Sequence, residues 1–231
     1  DSYPTSGGKP GSDLSFMQSQ HLDPNNIQLG VLNPLQCAQG VQNQDFSAAY
    51  CNAVNQWQVE QWTSKDPRLK ASLMVPYEDP LASVKEIEKW AGNKNFVQIL
   101  LLSRTAEPLG QRKYWPIYEA ACKANLPVAV HAFGYGGAPV TGGGWPSFYI
   151  EEMVGHAQNT QSLLTSMVIE GVFEKFPALK LILVEAGFAW IPALSWRLDK
   201  LWSRMRDEIP HVTRPPSQLI RDHVWVTTQP M

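Results

Sequence analysis

The stretch "ALKLILVEAGFAWIPALSWRLDKLW", residues 178–202, decides how this chain is read. Leu179 to Val184 is apolar apart from Lys180. Such a run reads as a strand buried on both faces, the kind that parallel sheets use. It ends in a carboxylate, Glu185, followed by Gly187 and by a helix-period segment opening near Trp190. In parallel α/β folds the carboxyl ends of the strands are where chemistry is placed. The question is why a core strand should terminate in a charge.

Outward from this stretch the same unit recurs. Ile27 to Leu32, Leu69 to Val75, Phe96 to Leu102, Pro127 to Val130 (with His131 at its end) and His223 to Thr227 read as further strands. Helical spacing occupies Phe46 to Ser64, Pro80 to Ala91, Tyr114 to Ala124, Ser147 to Phe176 and Trp190 to Arg206. Pro80 opens the second of these helices and Gly92 ends it. Strands alternating with helices predict an α/β fold with a parallel sheet. Polar residues follow the strands throughout, and no GxGxxG follows the first one, so the expected form is a (β/α)8 TIM-like barrel with about six βα units in this chain. Residues 1–13, rich in Gly, Pro and Ser, are expected to be a flexible loop, and residues 14–231 a single barrel domain.

Composition excludes several classes. The 231 residues are 44% hydrophobic, enough for a sizeable core, and the formal net charge is −2 without acidic or basic blocks. Neither nucleic acid nor membrane is expected as a partner. Cys37, Cys51 and Cys122 are odd in number and widely spaced, which predicts reduced core thiols in a cytoplasmic protein, not a disulfide framework. No segment is long and apolar enough to span a membrane. Both ends of the sequence read as interrupted, with no Met at the start and a strand just before the end.

Strand ends supply the candidate residues: Asn33, Tyr77 with Glu78, Arg104, His131, Glu185, and Thr227 to Gln229. A neutral imidazole at the mouth of a strand suits His131 to metal ligation or general-base work, and a hydrogen-bonded core histidine is the bland alternative. Glu185 could bind a metal, act as base or orient His131, or else form an ion pair with Arg197. Arg104 could grip a substrate carboxylate in a bidentate fork, or lie at the surface. His156 follows the Gly-rich loop, and either faces the site or is exposed on its helix. Trp145, a large aromatic within that loop, fits a lid or a stacking partner for substrate. Asn33 and Tyr77 complete the expected substrate contacts. Trp57, Trp62, Trp90 and Trp196 fall at helical spacing and read as core, while Arg197 and Asp199 read as architectural.

Two stretches together resemble a known family. "VFEKFPALKLILVEAGFAWIPALSWRLDKLW" (172–202) is similar to the signature of the second amidohydrolase family, to which aminocarboxymuconate-semialdehyde and resorcylate decarboxylase relatives belong. The matching positions are Phe176–Pro177, Leu179–Lys180, Gly187, Pro192 and Arg197–Leu198–Asp199. "PIYEAACKANLPVAVHAFG" (116–134) is similar to that family's fifth-strand segment. The resemblance implies a (β/α)8 barrel with a divalent metal, usually zinc, at its C-terminal rim. It gives His131 as the fifth-strand metal ligand, and it places strands one and eight, with their ligands, outside this chain. Glu185 stands where most relatives carry a sixth-strand histidine.

The expected activity is metal-dependent hydrolysis of a small, carboxylated or cyclic substrate, with Glu185 and Arg104 as catalytic residues. The alternatives are non-oxidative decarboxylation of an aromatic or unsaturated acid, and a non-catalytic ligand-binding relative. A homo-oligomer is expected.

Overall fold

A computed structural model describes residues 3–35, 37–132, 134 and 139–229. Six strands form one sheet: β1 (Gly30–Leu32), β2 (Leu69–Met74), β3 (Phe96–Leu102), β4 (Val128–His131), β5 (Leu181–Val184) and β6 (Val224–Val226). They lie side by side in chain order, and every neighbouring pair is parallel. A doubly wound sheet would reverse its strand order at a switch point. Unbroken sequential order is the winding of a (β/α) barrel.

Eight α-helices accompany the strands: α1 (Leu14–Met17), α2 (Gln44–Gln58), α3 (Pro80–Trp90), α4 (Trp115–Ala124), α5 (Tyr149–Ile169), α6 (Val172–Lys175), α7 (Ile191–Arg204) and α8 (Pro216–His223). Their starts follow from the sequence. Asn43 accepts from the Phe46 N–H ahead of α2, and Asp79 from Leu81 and Ala82 ahead of α3, each satisfying amides with no partner inside the helix. Prolines occupy the first turn of α3, α4, α7 and α8, where a missing N–H costs nothing. Glu151 turns back to accept from the Ser147 and Phe148 amides and so starts α5.

Strand side chains alternate between two environments. Ala71, Leu73, Ile99, Leu101, Val128, Val130, Leu181 and Leu183 join Ile117, Leu164, Phe173 and Leu198 in the large core between sheet and helices. Leu100, Ala129, Ile182 and Val184 form a separate cluster on the opposite, inner face. The period of two places His131 with Ala129 on that inner face.

Several boundaries differ from the sequence reading. The first strand begins at Gly30, because Asn26 adopts a left-handed conformation (φ 51°) and Ile27 packs beside Leu22, Trp62 and Leu69 instead. The helix after it closes in a π-helical turn, Val59–Thr63. Helix α8 lies where no element was expected. Trp62 and Trp90 pack inward, but Trp57 on α2 and Trp196 on the outer face of α7 are exposed to solvent. Cys51 and Cys122 are free thiols, and burial pushes Cys51 up to about 12 with Glu86 adding to the effect. The side chain of Cys37 lies outside the described residues.

Candidate active site at the C-terminal rim

His131 is the last residue of β4, and its carbonyl accepts from the Ser103 amide at the end of β3. The imidazole is almost fully buried, with its Nε2 3.3 Å from the Oε2 of Glu185. A carboxylate can only accept, so the imidazole donates from Nε2 in its neutral form. Burial holds His131 below the ordinary histidine range; Glu185 opposes that shift, and the nearby His156 reinforces it. The Glu185 side chain is 54% exposed. The pair therefore joins a dry base to a wet carboxylate. The alternative partner for Glu185, Arg197, is exposed on α7 and is not its ion-pair partner among the described residues.

His156 lies on α5 and is buried. Burial lowers its proton affinity, Glu152 opposes the shift and Arg104 adds to it. Arg104 follows β3 and donates from Nη1 to Glu152 Oε1 (3.0 Å) and to the Gly134 carbonyl (3.3 Å). Asn159, one turn further along α5, donates to the Ser103 carbonyl and hydroxyl. Glu152, His156 and Asn159 follow helical spacing, and through Glu152 and Asn159 this face of α5 is fastened to Ser103 and Arg104 at the end of β3.

Two cavities flank this face. One, of about 720 Å³, is lined by His156, Glu185, Phe188, Trp190, Gln229 and Ala132 among others. The other, about 640 Å³, takes Arg104 with Ser103, Thr141 and Asn159 in its wall. The structure thus brings His131, Glu185 and His156 together, with Glu185 and His156 in the wall of the first cavity and Arg104 in the wall of the second.

The remaining candidates lie elsewhere. Asn33 accepts from the Ser72 hydroxyl (2.6 Å) and from Gln98 (3.1 Å), in a polar cluster between β1 and β3. Tyr77 is fully buried in the core against Gly40, where a Cβ would sit 2.6 Å from its hydroxyl. Trp145 is 69% exposed and is in the wall of neither cavity. Glu78 pairs with Lys113 and accepts from the Ala106 amide, bracing the loop after β3.

Thr227, at the end of β6, bonds directly to the carboxylate residue's backbone. Its hydroxyl accepts from the Glu185 amide at 3.0 Å. The signal that would have singled it out is a hydroxyl on the strand beside the one that ends in the carboxylate.

His131 and Glu185 offer two donor atoms at a spacing that one cation could bridge. A catalytic zinc takes three protein ligands. Among the described residues no third His, Cys, Asp or Glu completes such a group. These residues do not by themselves fit a metal centre.

A parallel (β/α) barrel with an imidazole–carboxylate pair at the carboxyl ends of adjacent strands is an enzyme-type scaffold, in the arrangement that TIM barrels use. The chain belongs to the amidohydrolase family, whose model matches residues 2–230. It is 24% identical over 235 residues to a gamma-resorcylate decarboxylase of a Polaromonas species, covering 94% of this chain and 69% of that protein. An amidohydrolase from Mycobacterium avium subsp. paratuberculosis superposes with a TM-score of 0.74 at 22% identity. That match covers 89% of this chain, which spans 56% of the Mycobacterium protein's length. A dihydroxybenzoic acid decarboxylase from Polaromonas sp., solved with manganese and the inhibitor 2-nitroresorcinol, gives a TM-score of 0.74 at 20% identity, covering 94% of this chain and 68% of that one. No helix among the described residues is long and apolar enough to cross a membrane.

Proposed function

We propose that the protein is a carboxy-lyase of the amidohydrolase type, removing the carboxyl group of a small aromatic or unsaturated acid. The observation that carries this reading is the His131–Glu185 pair, 3.3 Å apart, with Glu185 in the wall of the 720 Å³ cavity. Phe188 and Trp190 in that wall suit a flat ring. The gamma-resorcylate and dihydroxybenzoic acid decarboxylases support a lyase over a hydrolase.

A carboxylated substrate entering beside Glu185 sets like charges together, which draws a proton from solvent onto the pair. The proton passes to the substrate carbon that bears the carboxylate, using π electrons of the ring or double bond to form the C–H bond. The C–C bond then breaks, its electrons restore the π system, and carbon dioxide leaves. The pair returns to neutral imidazole and carboxylate. Arg104 opens into the second cavity beside Ser103 and Asn159, so its proposed grip on a carboxylate applies to a group bound there and not to the one lost beside Glu185. A divalent metal, zinc by resemblance and manganese in the Polaromonas structure, enters this proposal as a cofactor of the whole protein. The reading further takes the protein as a cytoplasmic homo-oligomer acting on a small molecule.

The test is carbon dioxide release from hydroxybenzoates with manganese supplied. E185Q should lower turnover by about 100-fold or more, the usual weight of a positioned acid–base group. A protein that cleaves an amide or lactone and leaves every hydroxybenzoate intact would be a hydrolase, and the lyase reading would fail.

A further inference from the structure

Glu185 ends on the wrong face for its place in the strand. Leu181 and Leu183 point into the helix-facing core, whereas Ile182 and Val184 face the inner cluster. Alternation would send residue 185 after Leu181 and Leu183, toward the helices. A carboxylate there would enter an apolar layer. Its carboxylate instead meets His131, which shares the inner face with Ala129. The cause is backbone: Glu185 has φ 54°, in the left-handed region that side-chain-bearing residues rarely adopt. Such a conformation persists where its surroundings impose it, and it clusters at working sites.

The surroundings here are specific. On one side the Ala132 amide donates to the Val184 carbonyl, holding the chain up to the turn. On the other, the Glu185 amide donates to the Thr227 hydroxyl at 3.0 Å. That hydroxyl in turn donates to the Gln229 carbonyl at 3.2 Å, so its orientation is set. The Thr227 amide donates to the Leu183 carbonyl at 3.1 Å, continuing the register in which Leu183 pairs with Val226. The sheet therefore fixes the height of the hydroxyl, and the hydroxyl fixes the direction of the Glu185 amide. With its side chain half in solvent, Glu185 has little packing of its own to hold the turn.

We propose that Thr227 is a positioning residue: its hydroxyl clasps the Glu185 amide in a left-handed turn that swings the carboxylate from the helix side of the sheet onto the His131 imidazole. The inference rests on the reading of Glu185 as the working carboxylate and supplies the reason that it can reach its partner.

The test follows the His131 ring N–H resonance at one fixed pH above the imidazole range, together with thermal melting, in the intact protein kept metal-free with a chelator. The wild type should show the downfield N–H of an imidazole bonded to a carboxylate. Thr227→Val, which keeps the shape and removes the acceptor, should lose that signal as fully as Glu185→Ala does, and Thr227→Ser should keep it. Glycine adopts the left-handed turn unaided. The fall in melting temperature caused by Thr227→Val should therefore be smaller when combined with Glu185→Gly than in the wild type. Thr227→Ala gives the same reading if the valine variant does not fold. A Thr227→Val protein that melts earlier with the imidazole signal unchanged would make Thr227 merely structural and overturn the proposal. The readout needs no turnover. Loss of the signal in Thr227→Val beside undiminished carbon dioxide release in Glu185→Ala would remove Glu185 from the chemistry and leave the clasp standing.

Discussion

His131 and His156 are both buried, and burial is the main reason that each holds its proton less tightly than an ordinary histidine. In the unfolded chain both return to the ordinary range, so at mildly acidic pH the unfolded state binds more protons than the fold. Stability is then fully present above the unfolded histidine pKa of about 6.5 and is lost as pH falls below it. Melting temperature should decline between pH 7.5 and pH 5.5, and His156→Asn should flatten that decline. A steeper decline in the variant would contradict the burial argument. Much of this site was legible in the sequence, since a residue that ends an apolar run in a parallel sheet must emerge at the rim. His131 and Glu185 reach the rim for that reason, and the left-handed turn at Glu185 then brings them together. What strand-end position could not give was the face, and Asn33 and Tyr77 accordingly lie in a polar cluster and in the core. The turn at Glu185 and its tie to Thr227 were equally hidden, because a backbone dihedral has no signature in a residue that is not glycine.

Asp199 shows how one element sets the next. It sits in α7, and its Oδ1 accepts from the Ser217 amide at 2.9 Å, in the first turn of α8. That amide belongs to the group a helix cannot satisfy internally. Asp199→Ala should cost about 1 kcal/mol, as the loss of a cap does, and leave turnover per folded molecule unchanged. A variant with wild-type melting and depressed turnover would place Asp199 in the chemistry. Helix α8 also shows a limit of sequence reading. "RPPSQLIRDH" opens with two prolines that read as loop, yet the second is the first helical residue, where proline is well placed. Strands β2 and β3 were legible almost to the residue, because each run is too short for a helix and is bounded by turn residues, Pro67 and Pro76 around one and Asn93 to Asn95 ahead of the other. Trp196 was misplaced because helical spacing alone does not say which face meets the sheet. Ser195 and Leu198 face inward and leave Trp196 outside.

At the scale of the whole molecule, the start of α5 carries the most exposed apolar surface near the site. Trp145, Phe148, Tyr149 and Ile150 are between 69 and 72% exposed, and Met153 and Val154 extend the face toward the larger cavity, whose wall they join. Aromatic side chains carry about 150–250 Å² each, so this face offers on the order of 500 Å², before the last two residues are counted. The largest apolar patch of an ordinary monomer is about 300–600 Å² and is often functional, and a standard interface takes about 800 Å² from each partner. Charge does not oppose burial at the first turn, because the Glu151 carboxylate is engaged with the Ser147 and Phe148 amides. We propose this face as the contact surface of the homo-oligomer, where a second copy would also narrow the mouth of the cavity. The combination of Phe148→Ser with Ile150→Glu should convert the oligomer to a monomer in light scattering. It should change unfolding free energy by no more than about 0.5 kcal/mol per site, as exposed substitutions do. Turnover should fall less than in E185Q, because the imidazole–carboxylate pair stays within one chain. A wild-type protein that is monomeric at micromolar concentration, with the double variant indistinguishable from it, would remove α5 as the contact surface.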